Sequence, residues 1–83
     1  MIIFYVKAYN GEFYTFKNFE SEFVPRVGEK VQLEYFKFDS IKFRVTEISY
    51  LFHKNKCISV SITGEESEVD YELRLNINSY KIP

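Results

Sequence analysis

The sequence predicts an all-β fold, a small antiparallel barrel or sandwich of five to six short strands with a bulged central strand. Three observations predict it: apolar and polar residues alternate in several short runs, turn-forming residues separate these runs, and one long run changes phase partway. A chain of 83 residues can close only one hydrophobic core, so residues 1–83 are expected to form one domain. Seven Tyr and nine Phe give that core a large buried area without disulfides.

The pair Asn10-Gly11 marks the first turn, because it favours the type I′ conformation in which both central residues have positive φ. We therefore predict strands at residues 2–9 and 12–17, with Tyr5 opposite Phe16 across the hairpin. In this register one face carries Ile2, Phe4, Val6, Ala8 and Phe13, and the other carries Ile3, Tyr5, Tyr14 and Phe16. Both faces are apolar, so we expect the hairpin to be either deeply buried or part of a subunit contact, for which Ile3, Tyr5, Tyr14 and Phe16 are the candidate residues.

Residues 18–28 form a connector in which Phe19 and Phe23 are the expected anchors to the core. Pro25 restricts the residue before it to extended geometry, and Gly28 can supply the positive φ of a tight turn. A half-buried strand follows, because Val31, Leu33 and Tyr35 alternate with polar residues.

The long run at residues 41–52 changes phase partway. Its apolar residues occupy odd positions up to Val45 and even positions from Ile48 onward. A strand of period two cannot change face without an extra residue, so we predict a β-bulge near Thr46-Glu47 that bends the strand and curls the sheet. A polar turn then leads into the alternating residues 57–62, which complete a second hairpin.

The C-terminal segment leaves two structures open. Five acidic residues and no basic one lie between residues 65 and 72, which predicts a solvated stretch. From Val69 to Ile77 apolar and polar residues alternate strictly, which predicts a sixth strand. A helix is the alternative, because Val69, Leu73 and Ile77 are also four residues apart and the acidic start suits a helix N-terminus.

Two segments carry a resemblance to known proteins. Residues 24–31 and 43–48 read Val-Pro-Arg-Val-Gly-Glu-Lys-Val and Phe-Arg-Val-Thr-Glu-Ile. Together they resemble a pattern of small SH3-like and OB-like β-barrel proteins of unknown function from phages and bacteria, over about half of the chain. The resemblance implies a barrel scaffold with a binding or assembly role, and it assigns no functional residue.

The residue types that most catalytic and metal sites need are scarce in this sequence. One cysteine allows no internal disulfide, and with a single histidine it provides no zinc-ligand spacing. His53 and Cys57 are four residues apart around a turn, and we interpret them as a solvated histidine and a small strand residue rather than a catalytic pair. The acidic run lacks the spacing of a calcium loop, and the sequence has no glycine-rich phosphate loop. We therefore expect a protein that is not an enzyme and has no cofactor or metal.

The same composition predicts the cellular setting. A lone cysteine is typical of a reducing compartment. The first residues show no basic leader or cleavage site, and their apolar run is too short to span a bilayer. We expect a cytoplasmic protein without a membrane partner.

Charge is unevenly distributed along a chain whose net charge is −1. Residues 37–56 hold five basic residues against two acidic ones, with aromatic residues among them. Barrels that bind nucleic acid combine these two residue types, although an ordinary amphipathic hairpin also produces the combination. The candidate residues for binding a ligand or partner are Tyr35, Phe36, Phe38, Lys42, Arg44, His53 and Arg74.

These observations favour a non-enzymatic interaction or assembly module. We expect it to self-associate, as a homodimer through the first hairpin or the last strand, and to bind another protein. The resemblance to phage and bacterial barrels suggests an accessory or host-interfering protein of a mobile element. Two alternatives are a nucleic-acid-binding barrel, which the negative net charge disfavours, and a binder of a small anionic ligand or nucleotide at a subunit interface.

Overall fold

The computed structural model describes residues 1–35 and 40–81. These residues form five strands and one helix in the order β1 Ile2–Lys7, β2 Phe13–Phe19, β3 Lys30–Glu34, β4 Ser40–His53, β5 Lys56–Glu65 and α1 Glu68–Lys81. The strands form a single sheet in the order β2-β1-β5-β4-β3, and the sheet curls into a half-barrel. The predicted small all-β, barrel-like fold is therefore confirmed.

The sheet is mixed rather than wholly antiparallel. The β1–β2 hairpin and the β3–β4–β5 meander are each antiparallel, and they join through a parallel pairing of β1 with β5. Strands β2 and β3 are left as the two edges. The prediction of a purely antiparallel sheet was wrong because the first strand lies beside the last one, and both run in the same direction.

The hydrophobic core fills the concave face of the half-barrel. Its buried residues are Ile2, Phe4, Val6, Leu33, Ile41, Phe43, Val45, Val60 and Ile62. The rings of Phe4 and Phe43 meet edge to face, with 5.7 Å between their centroids. Phe16 of β2 and Tyr35, which follows β3, are 5.1 Å apart although their strands are opposite edges of the sheet. The curl therefore brings the two edges together over the core.

The turn of the first hairpin has three residues rather than the predicted two. The backbone N–H of Ala8 donates to the carbonyl of Glu12, and the N–H of Gly11 donates to the carbonyl of Ala8. Within this loop only Gly11 has positive φ, at 93°. The geometry is that of a hairpin in which the last loop residue is left-handed, and it does not require positive φ at Asn10.

The longer loop shifts the pairing of β1 with β2 by one residue. Val6 pairs with Tyr14, and Phe4 pairs with Phe16. Tyr14 and Phe16 consequently pack against the core, whereas Phe13 is 76% exposed. The predicted division of the hairpin into two faces was wrong at these positions, because a slip of one residue moves a side chain to the other side of a strand.

The phase change in β4 is a β-bulge, as the sequence predicts. Val45 pairs with Gly64 and Glu47 pairs with Thr63, so Thr46 is the additional residue. Core-facing positions are odd before this point and even after it, since Ile48 pairs with the buried Ile62.

The C-terminal segment is a helix, so of the two structures that the sequence left open the sixth strand was wrong and the helix is confirmed. The hydroxyl of Ser67 caps it, accepting a hydrogen bond from the N–H of Asp70 at 3.2 Å. Asp70 is buried against the sheet, while Val69 and Leu73 are exposed. The alternation of apolar residues misled the sequence interpretation because polar contacts, rather than an apolar stripe, attach this helix.

Only one of the two aromatic anchors predicted for the connector contacts the core. Phe19 packs edge to face on Phe4, with 5.4 Å between ring centroids. Phe23 is 81% exposed. The connector therefore leaves a large apolar side chain on the surface.

Candidate functional site

The most prominent feature outside the core is a two-stranded arm, residues 50–59. Strand β5 pairs with β1 only from Val60 onward. On the other side, the described residues that pair with β4 reach only as far as Val45. Between these points the β4–β5 hairpin has no neighbouring strand among the described residues. At about 3.3 Å per residue the hairpin projects beyond the other strands by roughly 15 Å. Lys54 and Asn55 close it with φ of 49° and 68°, the positive values of a type I′ turn.

One face of the arm continues the core-facing side of the sheet. Tyr50 pairs with the core residue Val60, and the ring of Phe52 lies 6.5 Å from that of Tyr50. The register shifts between Leu51, which pairs with Ser59, and Phe52, which pairs with Cys57, so Ile58 is the additional residue of a second bulge at this point. Tyr50, Phe52 and Ile58 are 54%, 63% and 48% exposed, and no other described strand covers them. Exposed apolar surface of this extent is typical of an interaction site.

A groove of about 700 Å³ opens at the base of the arm. Its lining includes Ile2 and Phe4 of the core, the connector at residues 21–26 and the start of β3. Because Ile2 pairs with Val60, this mouth groove adjoins the apolar face of the arm and opens on the same side of the sheet. The exposed ring of Phe23 belongs to its lining.

The arm carries positive charge only. No acidic residue occurs between positions 48 and 64, and the bases at its tip are His53, Lys54 and Lys56. All three are exposed. The arm therefore presents an apolar face with a basic end.

The lining of the mouth groove carries charges of both signs. Its acidic residues Glu22 and Glu29 and its basic residues Arg26 and Lys30 are exposed. Lys30 forms an ion pair with Asp70 of the helix at 2.8 Å. The lining of the groove therefore has no excess of either charge.

A second polar cluster joins the helix to the sheet. The guanidinium of Arg74 donates to Glu66 through Nε at 2.8 Å and through Nη2 at 3.1 Å, and Glu66 has no exposed side-chain area. The rings of Tyr14 and Tyr71 lie 5.9 and 5.3 Å from the guanidinium carbon. The hydrogen bonds to Glu66 raise the pKa of Arg74 and outweigh its partial burial. Two of the guanidinium donors of Arg74 are therefore engaged by Glu66, and this ion pair attaches the helix to the end of β5.

Asp70 is the second buried carboxylate of a run that the sequence predicts to be solvated. Burial raises the pKa of Asp70, but hydrogen bonds from Lys30 and Ser67 lower it by a larger amount. The pKa of Asp70 therefore lies below its usual value. The acidic run thus supplies two fastening groups, Glu66 and Asp70, among exposed neighbours.

The structure brings three of the predicted ligand-binding residues together. Tyr35 and Lys42 both lie near the helix, since Tyr35 interacts electrostatically with Arg74 and Lys42 with Asp70. The cavity between Lys42, Asp70 and Arg74 measures only about 30 Å³. A space of this size corresponds to a single water, so it does not accommodate a nucleotide.

The other predicted ligand-binding residues lie apart from this cluster. The guanidinium of Arg44 donates to the carbonyl of Gly28 at the start of β3. His53 is at the tip of the arm, where it pairs with Lys56. Phe36 and Phe38 lie outside the described residues.

The predicted subunit-contact residues do not share a face. Tyr14 and Phe16 pack against the core, while Tyr5 pairs with Thr15 on the opposite side and is 41% exposed. Ile3 is half-buried on that same outer side. The four residues therefore cannot form one contact patch, because the register places two of them inside.

Sequence reasoning missed the residues that form the exposed apolar surface: Tyr50, Phe52, Ile58 and Phe23. A signal was present in the lengths of the strands. β4 has 14 residues and β5 has 10, against 6 in β1 and 5 in β3. A hairpin that is longer than its neighbours must extend past them.

Comparison with protein-family models, curated proteins and solved structures finds no match to this chain. Within residues 1–35 and 40–81, no group of three or more histidine, cysteine or acidic side chains is arranged to hold a metal ion. The helix in that part of the chain is not long and apolar enough to cross a membrane.

Proposed function

We propose that this protein is a non-enzymatic interaction and assembly module that self-associates as a homodimer through the apolar face of its arm. The observation that carries the proposal is the uncovered pair Tyr50 and Phe52, which continues the core-facing side beyond the end of the sheet, with the exposed Ile58 next to Phe52's partner Cys57. A two-stranded ribbon alone is marginally stable in water, so covering its apolar face would also stabilise the arm.

The size of the apolar surface supports a specific contact. Large aromatic side chains bury about 150–250 Å² each, so the exposed parts of Tyr50, Phe52, Ile58 and Phe23 amount to on the order of 450 Å² per copy. A standard interface buries about 800 Å² per partner, somewhat more than half of it apolar. The four side chains therefore match the apolar share of an interface of ordinary size.

The proposal extends to the class of protein. The curled five-stranded sheet is compatible with the SH3-like or OB-like scaffold that the sequence resembles, and with an accessory or host-interfering protein of a mobile element. Cys57 is exposed on the arm as a free thiol, which agrees with a cytoplasmic setting where thiols stay reduced.

Sedimentation equilibrium over a range of micromolar concentrations tests the proposal. We expect the wild type to sediment as a dimer and Phe52→Ser to weaken the dimer by at least about tenfold, because aromatic anchors carry most of an interface's binding energy. Leu51→Ser is the matched control, since Leu51 pairs with Ser59 on the opposite face and is 56% exposed. It should leave the dissociation constant within about threefold.

Two results would contradict the proposal. One is a wild type that remains monomeric at every concentration. The other is a dimer that Phe52→Ser and Leu51→Ser affect equally, since the apolar face would then not be the contact. Thermal unfolding of both variants establishes that they are folded.

A second candidate function is nucleic-acid binding by the arm, which the basic tip favours. A two-stranded ribbon fits the major groove of DNA, and Lys54 and Lys56 would contact phosphates. Titration with labelled single-stranded and duplex oligonucleotides at two salt concentrations tests this function. A steep loss of affinity with salt that Lys54→Glu abolishes would support it, and the absence of binding at low salt would exclude it.

A further inference from the structure

We propose that the free edge of strand β4 pairs with the same edge of a second copy, so that two arms form one antiparallel sheet about a two-fold axis at Tyr50. This inference rests on the proposed self-association and identifies the backbone groups through which the two arms meet. The observation that carries it is the backbone of β4 from Thr46 to His53. On the side away from β5, this stretch has no partner among the described residues.

The direction of the unpaired backbone groups follows from the pairing of β5. The N–H of Val60 donates to the carbonyl of Met1, on the β1 side of β5. Val60 is also the partner of Tyr50 in β4. Two residues that face each other in an antiparallel pair point their backbone groups either toward each other or both away. The N–H and C=O of Tyr50 therefore point away from β5, to the free edge of β4.

The free edge of β4 alternates without interruption along the arm. The bulge in the arm adds its extra residue, Ile58, to β5 and none to β4. Ile48 and Phe52 therefore present their backbone groups on the same side as Tyr50. A second strand that lies along this edge can form hydrogen bonds at all three positions.

The other strand edges are less suited to pairing. In the arm, the free edge of β5 is limited to residues 56–59 and contains the bulge. The edge strands β2 and β3 approach each other over the core, where the rings of Phe16 and Tyr35 are 5.1 Å apart. Among the described strands, β4 therefore has the most accessible edge.

The limits of the free edge determine the register of the pairing. Residues with outward backbone groups must face each other, so a two-fold axis passes through a residue that pairs with its own copy. An axis at Ser49 would place His53 opposite Val45, whose backbone already bonds Gly28 and Glu29. An axis beyond Tyr50 would shorten the pairing, because β4 ends at His53. An axis at Tyr50 uses the free edge most completely.

Charge supports this register. Glu47 is the single acidic residue of positions 40–64, and its side chain is exposed. The axis at Tyr50 places Glu47 opposite His53 of the second copy and next to the basic turn that contains Lys54. This contact occurs twice in the dimer. Two arms that met tip to tip would instead bring only basic residues together, which disfavours that arrangement.

The apolar side chains of both arms meet on the core-facing side of the joined sheet. Tyr50 lies beside Tyr50 of the second copy, and Phe52 lies beside Ile48 of the second copy. Aromatic pairs and pairs of an aromatic with a β-branched residue are the cross-strand contacts that stabilise a sheet. Joining the arms also turns each two-stranded ribbon into part of a wider sheet, which is more stable than a ribbon alone.

Engineered cysteines test the pairing. All test proteins carry Cys57→Ser, which replaces the native thiol by a hydroxyl of similar size and should leave the dimer intact. Glu47→Cys and His53→Cys are prepared separately, mixed in equal amounts and oxidised. Both positions are exposed, so the variants should fold as the wild type does. In the proposed register the two positions face each other with about 4.5 Å between Cα atoms, a separation that a disulfide spans.

We expect the disulfide between Glu47→Cys and His53→Cys to form at least about tenfold faster than a disulfide within either variant alone. Leu51→Cys is the matched control for the register, since Leu51 is exposed on the same side of β4 and faces Ser49 of the second copy in this arrangement. Mixed with Glu47→Cys it should crosslink slowly, and mixed with Ser49→Cys it should crosslink fast. Non-reducing gel electrophoresis over time measures all of these rates.

The outcomes separate the strand pairing from the proposed function. A wild type that does not dimerise in sedimentation equilibrium contradicts the proposed function itself. A dimer in which Glu47→Cys and His53→Cys show no preferred crosslink overturns the strand pairing and leaves self-association standing, because arms stacked face to face would hold both positions on the outside. Equal crosslinking of Glu47→Cys with His53→Cys and with Leu51→Cys would overturn the axis at Tyr50.

Discussion

Arg74 and Glu66 form a two-pronged ion pair in which the carboxylate is fully buried and the guanidinium is largely so. Glu66 follows the last residue of β5, and Arg74 lies in the second turn of α1. Oε1 of the same carboxylate also accepts the backbone N–H of Tyr9 at 3.3 Å. One side chain thus connects the helix, the end of β5 and the first hairpin.

Removing one side chain of the Arg74–Glu66 ion pair should lower the free energy of unfolding. Arg74→Met leaves the charge of Glu66 buried without compensation, and we expect a loss of about 3 kcal/mol in the free energy of unfolding. Urea denaturation at neutral pH measures it. Arg44→Met is the control, because Arg44 is an exposed arginine that donates to the carbonyl of Gly28, and it should cost no more than about 1 kcal/mol.

The double variant makes the test specific to the pair. Glu66→Met with Arg74→Met removes both charges, and apolar replacement of a whole buried pair is often close to neutral. It should therefore be more stable than Arg74→Met alone. Equal costs for Arg74→Met and Arg44→Met would contradict this role of the pair.

Because the pKa of Asp70 is lowered in the folded protein, we expect the stability of the protein to depend on pH. Burial alone would raise the pKa of Asp70, yet the hydrogen bonds from Lys30 and Ser67 prevail, and the pKa lies below its usual value near 3.8. A carboxyl with a depressed pKa in the folded state contributes stability above its unfolded value and loses it as pH falls through the folded value. We expect Asp70→Asn to be less stable than the wild type at pH 7, with a difference that shrinks below about pH 4.

Urea denaturation from acidic to neutral pH follows this difference. Glu34→Gln serves as a control for the loss of one negative charge, since Glu34 is exposed at the end of β3. A gap between the wild type and Asp70→Asn that stays constant down to the lowest pH would show that the ion pair with Lys30 is not its source.

The position of Gly64 at the centre of the sheet leaves no room for a side chain beside the Phe43 ring. A Cβ at this position would collide with the Phe43 ring, approaching Cε2 to 2.8 Å, and Phe43 is fully buried. We expect Gly64→Ala to cost about 3 kcal/mol, the upper part of the range for overpacking. Phe43→Leu in the same chain should recover part of that loss by making room, which a double-mutant cycle in urea would measure.

Additive costs for the two substitutions would argue against the collision. Gly11→Ala is a useful comparison, because a Cβ there meets nothing within 4 Å and the only penalty is its φ of 93°. Phe43→Leu should not reduce the cost of Gly11→Ala.

Patterns of period two predicted the core of this fold well, because burial on one side of a strand leaves a direct trace in the sequence. The phase change between Val45 and Ile48 located the bulge at Thr46 for that reason. The C-terminal helix left no such trace, since Asp70 and Arg74 attach it through charges. The signals for a helix were the four-residue spacing of Val69, Leu73 and Ile77 and the acidic start, and the spacing of Ser67 and Asp70, which fits a helix cap, is a further one.

The candidate site was harder to predict than the core. Phe52 and Ile58 follow the same alternation as buried residues, so sequence alone cannot distinguish an apolar face that is covered from one that projects. The distinction depends on where the neighbouring strands end, which is a property of their pairing with β4 and β5. Arg74 shows the converse, because the sequence does not reveal that Glu66 lies beside this candidate ligand-binding cation.

The two asparagine turns predict opposite effects of one substitution. Asn55 closes the arm with φ of 68°, a conformation that glycine adopts without strain, so Asn55→Gly should stabilise the arm by about 0.5 kcal/mol. Asn10 does not have positive φ, and its side chain accepts the N–H of Glu12 at 3.1 Å. Asn10→Gly removes that hydrogen bond and adds freedom to the unfolded chain, so it should destabilise the first hairpin by a similar amount.

Hydrogen exchange of the backbone amides separates the two effects. Amides of the arm should exchange about twofold more slowly in Asn55→Gly, and amides beside the first turn should exchange faster in Asn10→Gly. The same sign at both sites would mean that the turns share one geometry. Opposite signs would establish that Lys54-Asn55 occupies the left-handed turn that the sequence alone assigns to Asn10-Gly11, since only a residue already held at positive φ gains from replacement by glycine.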